Sequence, residues 1–274
     1  MNPTLIFLDI DGTLTEPGSN VPPASALEAV RRAQACGHKV ALCSGRNYGM
    51  LSPLLQYGFD AVIASAGGYI EYGGQVIYDC PMTPAQQKLV LETFAASGVY
   101  RTIEGRLGSY TDESFKDFLA QTSGGNSELV RWRQQLEQNL GIRPMSEYDG
   151  EPIYKIVFMS PSREALAQPQ RLLGAVFDFC IQDPDASGIV NGELINKQFN
   201  KGTAVRRLAE AAGIPLADTV AFGDSMNDLE MMQTAGLSIC MGNGSETLKK
   251  AAHEVCGRVE EDGLYHAFAA HGLI

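Results

Sequence analysis

Short apolar runs that end abruptly in acids, small polar residues or glycine set the frame of this chain. Residues 5–8, Leu-Ile-Phe-Leu, run straight into Asp9-Ile10-Asp11-Gly12-Thr13. Residues 39–43 stop at Ser44-Gly45-Arg46, residues 61–65 at Ala66-Gly67-Gly68, and residues 219–222 at Gly223-Asp224. Unbroken apolar runs of this length, bounded by turn formers, predict strands buried on both faces. Between them the apolar spacing becomes helical, over 24–35 behind Pro22-Pro23 and over 201–212 up to Gly213. Residues 48–57 read as a further helix kinked or interrupted at Pro53, and 69–70 with 75–78 as a hairpin about Gly73-Gly74. Toward the end, 229–234, 246–252 and 264–271 read as helices, and 237–241 and 254–259 as strands. The alternation predicts an α/β fold with a Rossmann-like parallel sheet covered by helices.

The pattern changes after Cys80-Pro81. Thr83-Pro84 opens a helix to residue 96, 99–104 is strand-like, 123–127 is a loop and 128–140 a helix. A strong strand follows at 153–159, then a helix at 162–173 and strands at 175–182 and 188–195. Residues 82–190 thus read as an inserted α+β cap domain of open strand order, between core segments 1–81 and 191–274. Cys80-Pro81 and Gly188 are the expected hinges. Glu104-Gly105-Arg106 and Arg143 either bring charge over a cleft or lie on the surface. Trp132 with Leu129 and Leu136 forms a packing face, and Met226, Met231 and Met232 read as core filling.

Composition narrows the partners. With a formal net charge of -11 and no Lys/Arg-rich run, neither nucleic acid nor an anionic membrane is an expected partner. The six cysteines are dispersed without a CxxC pair, which fits buried free thiols in a reducing cytoplasm and gives no structural zinc site. No apolar run approaches the roughly 18 residues of a spanning helix, and Asp9 comes too early for a signal peptide. None of the four histidines joins a ligand spacing or an Asp-Ser constellation.

The acids are the chemistry. Asp9 and Asp11 would share one side of the strand if extension continued through Ile10, and two like charges there call for a cation or a shared proton. Asp224 and Asp228 form a second cluster at another strand end, beside Asn227. If the outer thirds build one sheet, the four acids meet at its C-terminal edge as an oxygen-only donor set, which suits Mg²⁺. Ser44 then offers a hydroxyl, Gly12 and Gly45 close backbone donors, and Lys201 a charge at a helix start, all suited to a phosphoryl group. Singly, Ser44-Gly45-Arg46 is an ordinary turn and Lys201 a surface lysine; the signal is their joint order at successive strand ends.

Asp9-Ile10-Asp11-Gly12-Thr13, Ser44-Gly45-Arg46, Lys201-Gly202 and Gly223-Asp224-Ser225-Met226-Asn227-Asp228 resemble, in order, the four motifs of the haloacid-dehalogenase-like superfamily. The insertion resembles the large cap of its Cof-type hydrolases, and serine stands where that group more commonly has threonine. The resemblance implies Asp9 as nucleophile and Asp11 as general acid and base. It implies Mg²⁺ on the Asp9 carboxylate, the Asp11 carbonyl and Asp224, with Asp228 direct or through water. Ser44 would donate to the phosphoryl group with Gly12 and Gly45, Lys201 would neutralise nucleophile and phosphate charge, Asn227 would orient the phosphate or the lysine, and Arg46 would either contact phosphate or brace its motif. The implied function is a Mg²⁺-dependent phosphatase of a small phosphorylated metabolite, a sugar or polyol phosphate first and a cofactor phosphate next, acting as monomer or homodimer. A phosphomutase of the phosphomannomutase kind is the enzymatic alternative, and a non-catalytic phosphometabolite-binding regulator the other.

Overall fold

Leu5–Leu8 forms β1, and all four of its side chains are fully buried. In the computed structural model, which describes residues 2–113, 142–181 and 189–274, this strand lies inside a mixed sheet. The chain continues with β2 (Lys39–Cys43), β3 (Ala61–Ala64), β4 (Tyr69–Tyr72) and β5 (Gln75–Asp79). Then come β6 (Tyr100–Gly105), β7 (Ser109–Thr111), β8 (Ile142–Pro144), β9 (Ile153–Ser160), β10 (Phe177–Ile181) and β11 (Val190–Asn196). The last strands are β12 (Thr219–Gly223), β13 (Leu237–Cys240) and β14 (Glu254–Val255). The helix read at 128–140, the loop at 123–127, the face of Trp132 with Leu129 and Leu136, and Gly188 as a hinge lie outside the described residues.

Two units emerge. The first comprises Met1–Arg46, Leu51–Asp79 and Phe199–Ile274. Its sheet has the order β14-β13-β12-β1-β2-β3-β4-β5, parallel from β14 to β3 and antiparallel over β3-β4-β5. Alternation along β1 divides its side chains between two layers. Leu5 and Phe7 pack with Val205, Leu208, Met231 and Met232 of helices Lys201–Ala212 and Leu229–Thr234. On β12, Phe222 stacks instead on Phe268 of helix Gly263–Ala270 at 5.2 Å. The α/β class with a parallel-strand core is as expected.

The second unit comprises Asn47–Met50 and Cys80–Gln198. Its sheet runs β10-β11-β9-β6-β7-β8, antiparallel except between β7 and β8. Helix Pro84–Ala96, closed at its N-terminus by a Thr83–Gln86 capping box, places Phe94 against Phe158 at 5.7 Å and Phe179 at 6.3 Å. Asn47–Met50 belongs here because Gly49 N–H donates to Arg106 O at 2.9 Å and Asn47 Nδ2 to Ser109 Oγ at 2.9 Å. Glu104 is buried beside Lys155 at 3.4 Å, and the Arg143 guanidinium lies over the Tyr110 ring at 4.3 Å.

Several local expectations need correction. The helix read over 48–57 is a 3-10 turn, Gly49–Leu51, and one helical turn, Ser52–Leu55; Pro53 sits in that first turn, where its missing N–H costs nothing. Of 254–259 only Glu254–Val255 pairs as a strand, and Val259 enters a turn. Met231 and Met232 are core, but Met226 is 45% exposed because it rides the turn beyond β12. Of the thiols, Cys43 and Cys240 are buried, Cys80 and Cys256 are half-buried and Cys36 and Cys180 are exposed; all six are free. Among the described residues no helix is long and apolar enough to cross a membrane.

The Phe94–Phe158–Phe179 cluster carries the second unit's core, so Phe158→Ala should destabilise that unit by about 3–5 kcal/mol. Denaturant unfolding followed by circular dichroism measures the loss.

Candidate active site

Asp9 follows β1 on the face that Leu5 and Phe7 share, so its carboxylate enters the layer of helix Lys201–Ala212. Asp9 N–H adds one more ladder bond, to Phe222 O at 3.0 Å, before the chain turns. Extension then fails. Leu14 N–H returns to Asp9 O at 3.2 Å and Thr15 N–H to Ile10 O at 2.9 Å, folding residues 9–15 into a tight loop. The conditional expectation that Asp9 and Asp11 share one side therefore does not hold, because Ile10 is in a turn. Asp9 faces Lys201, and the Asp11 side chain meets Arg46.

Lys201 is the first residue of its helix. Asn200 caps it: its Oδ1 accepts from Thr203 N–H at 2.7 Å, and Thr203 Oγ1 accepts from Asn200 N–H at 2.9 Å. Gly202 lets the helix approach its neighbour, since a Cβ there would stand 2.6 Å from Glu230 O. Only 2% exposed, Lys201 is no surface lysine. Its Nζ donates to Asp9 Oδ1 at 2.7 Å and Asp228 Oδ1 at 2.6 Å, with Asn227 Oδ1 at 3.4 Å.

Asp228 is fully buried and uses both oxygens. Oδ1 takes Lys201, and Oδ2 accepts from Asp224 N–H at 3.0 Å and Ser225 N–H at 3.1 Å, bracing the loop after β12. Asp224 differs: its Oδ1 is buried and has no hydrogen-bond partner among the described residues. A Cβ on Gly12, whose φ is +84°, would come within 2.4 Å of Asp224 Oδ2, so that position requires glycine twice over. Asn243, not among the candidates named from the sequence, donates Nδ2 to Gly12 O at 2.7 Å. No spacing rule points to it; only the adjacency of β13 to β12 brings it in.

Ser44 and Gly45 lie at the end of β2, next to β1. The Ser44 hydroxyl accepts from Arg46 N–H at 3.1 Å. Among the histidines, His38 Nδ1 accepts from Thr4 N–H and His253 Nδ1 from Ser238 N–H, both away from this cluster.

The electrostatics are those of a site with more acid than base. Burial pushes the Asp9 carboxyl up to about 7, with Asp228 adding to the rise and Lys201 opposing it. Burial, then the Asp9 and Asp228 charges, push Asp224 up to about 8. Burial alone would discharge Lys201, but Asp228 and Asp9 reverse that and hold its ammonium well above the usual lysine value. One oxygen each from Asp9, Asp224 and Asp228 lies within 4.8 Å of the others. An oxygen-only set of this size with one orphaned buried oxygen fits a hard divalent cation such as Mg²⁺. Asp9 and Asp224 could supply direct ligands to such a cation, whereas both oxygens of Asp228 are already engaged.

Residues 6–268 match the haloacid dehalogenase-like hydrolase family. The chain belongs to this family. It is 30% identical to the 5-amino-6-(5-phospho-D-ribitylamino)uracil phosphatase YwtE of Bacillus subtilis, over 94% of both chains. It is 26% identical to an HMP-PP phosphatase of Yersinia pestis, over 96% of this chain and 93% of that one. A solved hypothetical protein of Geobacillus kaustophilus shares the fold with a TM-score of 0.80, at 24% identity and over 100% of both chains. Membership accounts for the order in which this hydrolase presents its four motifs.

The raised acids generate a test. Asp9 and Asp224 keep protons to about pH 7 and 8 when folded without metal, against 3.8 in the ordinary carboxyl. The folded state then binds more protons than the unfolded one, so their contribution to metal-free stability falls as pH rises across that span. Asp224→Asn should therefore gain melting temperature over wild type as pH rises from 5 to 8 without metal, and lose the stabilisation that Mg²⁺ gives the wild type. Thermal melts with Mg²⁺ and with chelator check both.

Proposed function

We propose that this hydrolase is a Mg²⁺-dependent phosphomonoesterase of small phosphorylated metabolites that works through an aspartyl phosphate on Asp9. The observation that carries the reading is the buried Asp9–Lys201–Asp228 pairing beside the orphaned Asp224 oxygen. It is a carboxylate held by a fixed cation next to a place for a second one.

Asp9 Oδ1 is engaged by Lys201, and Oδ2 attacks phosphorus. As that bond forms, the bond from phosphorus to the leaving oxygen breaks, its electron pair goes to that oxygen, and Asp11 supplies the proton. In the second half a water oxygen bonds to phosphorus, the Asp9 oxygen leaves with its electron pair, and the water proton goes to Asp11. Lys201 offsets charge on the nucleophile and on the phosphoryl group, Asn227 orients that lysine, and the Ser44 hydroxyl with the Gly45 backbone receives phosphoryl oxygens; the Gly12 N–H, expected from the sequence to help, instead donates to Thr15 O at 2.8 Å, because the chain turns back on itself there. Asp9 and Asp224 would hold Mg²⁺, which would supply the charge neutralisation that lets two anions meet.

Residues 82–190 we assign to choosing the leaving group. The relatives' names support phosphate esters of small metabolites, one of them carrying a phosphorylated ribityl chain, and so favour a polyol or sugar phosphate as the substrate class. Six free cysteines suit a reducing cytoplasm.

A panel of sugar, polyol and cofactor phosphates should release inorganic phosphate with Mg²⁺ and not with chelator. Asp9→Asn should lose about 10³-fold or more in turnover while keeping its fold. Absence of release from every ester, or near-wild-type turnover by Asp9→Asn, would reject the reading.

A further inference from the structure

The guanidinium of Arg46 is committed to Asp11. Nε donates to Asp11 Oδ2 at 2.9 Å and Nη2 to Asp11 Oδ1 at 2.7 Å, a fork that takes both carboxylate oxygens. The rest of the guanidinium is engaged too, Nη1 by Asn20 Oδ1 at 2.6 Å and Nη2 by Ser19 O at 3.3 Å. Gly18 N–H adds a third donor to Asp11 Oδ1 at 2.8 Å. The two side chains are 12% and 19% exposed, so little water competes with the fork. The backbone of Arg46 is pinned as well: its N–H donates to Ser44 Oγ, and its carbonyl accepts from Ser65 N–H at 2.8 Å.

We infer that Arg46, braced by Asn20, is a positioning residue for the proton shuttle rather than a phosphate clamp, holding Asp11 in the carboxylate orientation that accepts the proton of the hydrolytic water. The inference rests on the phosphatase reading above. Three N–H donors converging on the two oxygens fix the plane and tilt of the Asp11 carboxylate, so losing the fork frees it to swing away from the site. With a leaving group that needs no acid, the half-reaction that still depends on that orientation is the hydrolytic one. There water oxygen bonds to phosphorus, the Asp9 oxygen leaves with its electron pair, and the water proton passes to Asp11. A lysine, as a point charge, cannot reproduce the two parallel bonds.

p-Nitrophenyl phosphate with Mg²⁺ separates the half-reactions, because its leaving group needs little help from an acid. Rapid-quench kinetics should show kcat falling about 10- to 100-fold in Arg46→Ala. The p-nitrophenolate burst and the acid-stable phosphoprotein should both rise relative to wild type. Inhibition by inorganic phosphate should stay within about threefold of wild type, because no phosphate contact is lost. Asn20→Ala should move the same readouts by a smaller factor, Arg46→Lys should behave like Arg46→Ala, and added methylguanidinium should restore part of the Arg46→Ala rate. Weaker phosphate inhibition with a diminished burst would make Arg46 a phosphate ligand. A lower kcat with burst and inhibition unchanged would make it only structural; either result overturns the inference. If wild type releases no phosphate from any ester, the phosphatase reading itself falls and takes this inference with it, whereas the variant patterns reject the inference alone.

Discussion

Everything at the site depends on one buried ammonium. Lys201 Nζ lies within 2.7 Å of two carboxylates that come from opposite ends of the chain, Asp9 after β1 and Asp228 after β12. Burying these charges separately would cost several kcal/mol each, and without the lysine the acids would hold their protons to still higher pH. The lysine makes the cluster tolerable without saturating it, since Asp224 remains as a third acid whose Oδ1 has no hydrogen-bond partner among the described residues. A carboxyl that keeps its proton to about pH 8 without metal can exchange that proton for a cation, which is what equips the fold for a cation and a phosphoryl group.

The parallel sheet converts this electrostatic requirement into geometry. β1 lies between β2 and β12 with every residue in register, so the loops leaving their C-terminal ends emerge side by side. Helix Lys201–Ala212 packs on the layer that Leu5 and Phe7 face, and its capped N-terminus sets Lys201 at the level of Asp9. Close approach is secured by absent side chains: Gly12 admits Asp224, and Gly202 admits the neighbouring helix. The loops also divide labour, with Asp9 given to the lysine and Asp11 to the arginine, so two acids separated by one residue occupy different electrostatic surroundings.

Much of this was legible along the chain. The buried strands announced themselves as apolar runs, and the helix from Lys201 by its period and its Gly213 stop. Because such runs end where the site residues begin, the candidate acids, Ser44 and Lys201 could be named from strand ends alone. Less was legible where local signals were short or equivocal. Pro53 fits a kink or a first turn equally well, and the structure uses it as the latter. Met226 follows the same apolar logic as Met231 and Met232, yet lies exposed because a turn, not a helix, carries it.

By itself the sequence determined the alternation of strands and helices, the oxygen-only chemistry and the four motifs, because these depend on residue type and short-range spacing. Tertiary structure alone decided which charges meet. Whether Arg46 faces a phosphate or Asp11, whether Asp228 braces a loop, and that Asn243 fastens Gly12 are matters of strand adjacency and turn direction. Those contacts join residues 35 to 231 positions apart or hinge on where one turn begins, and a pairing over such separations is fixed only when the sheet closes.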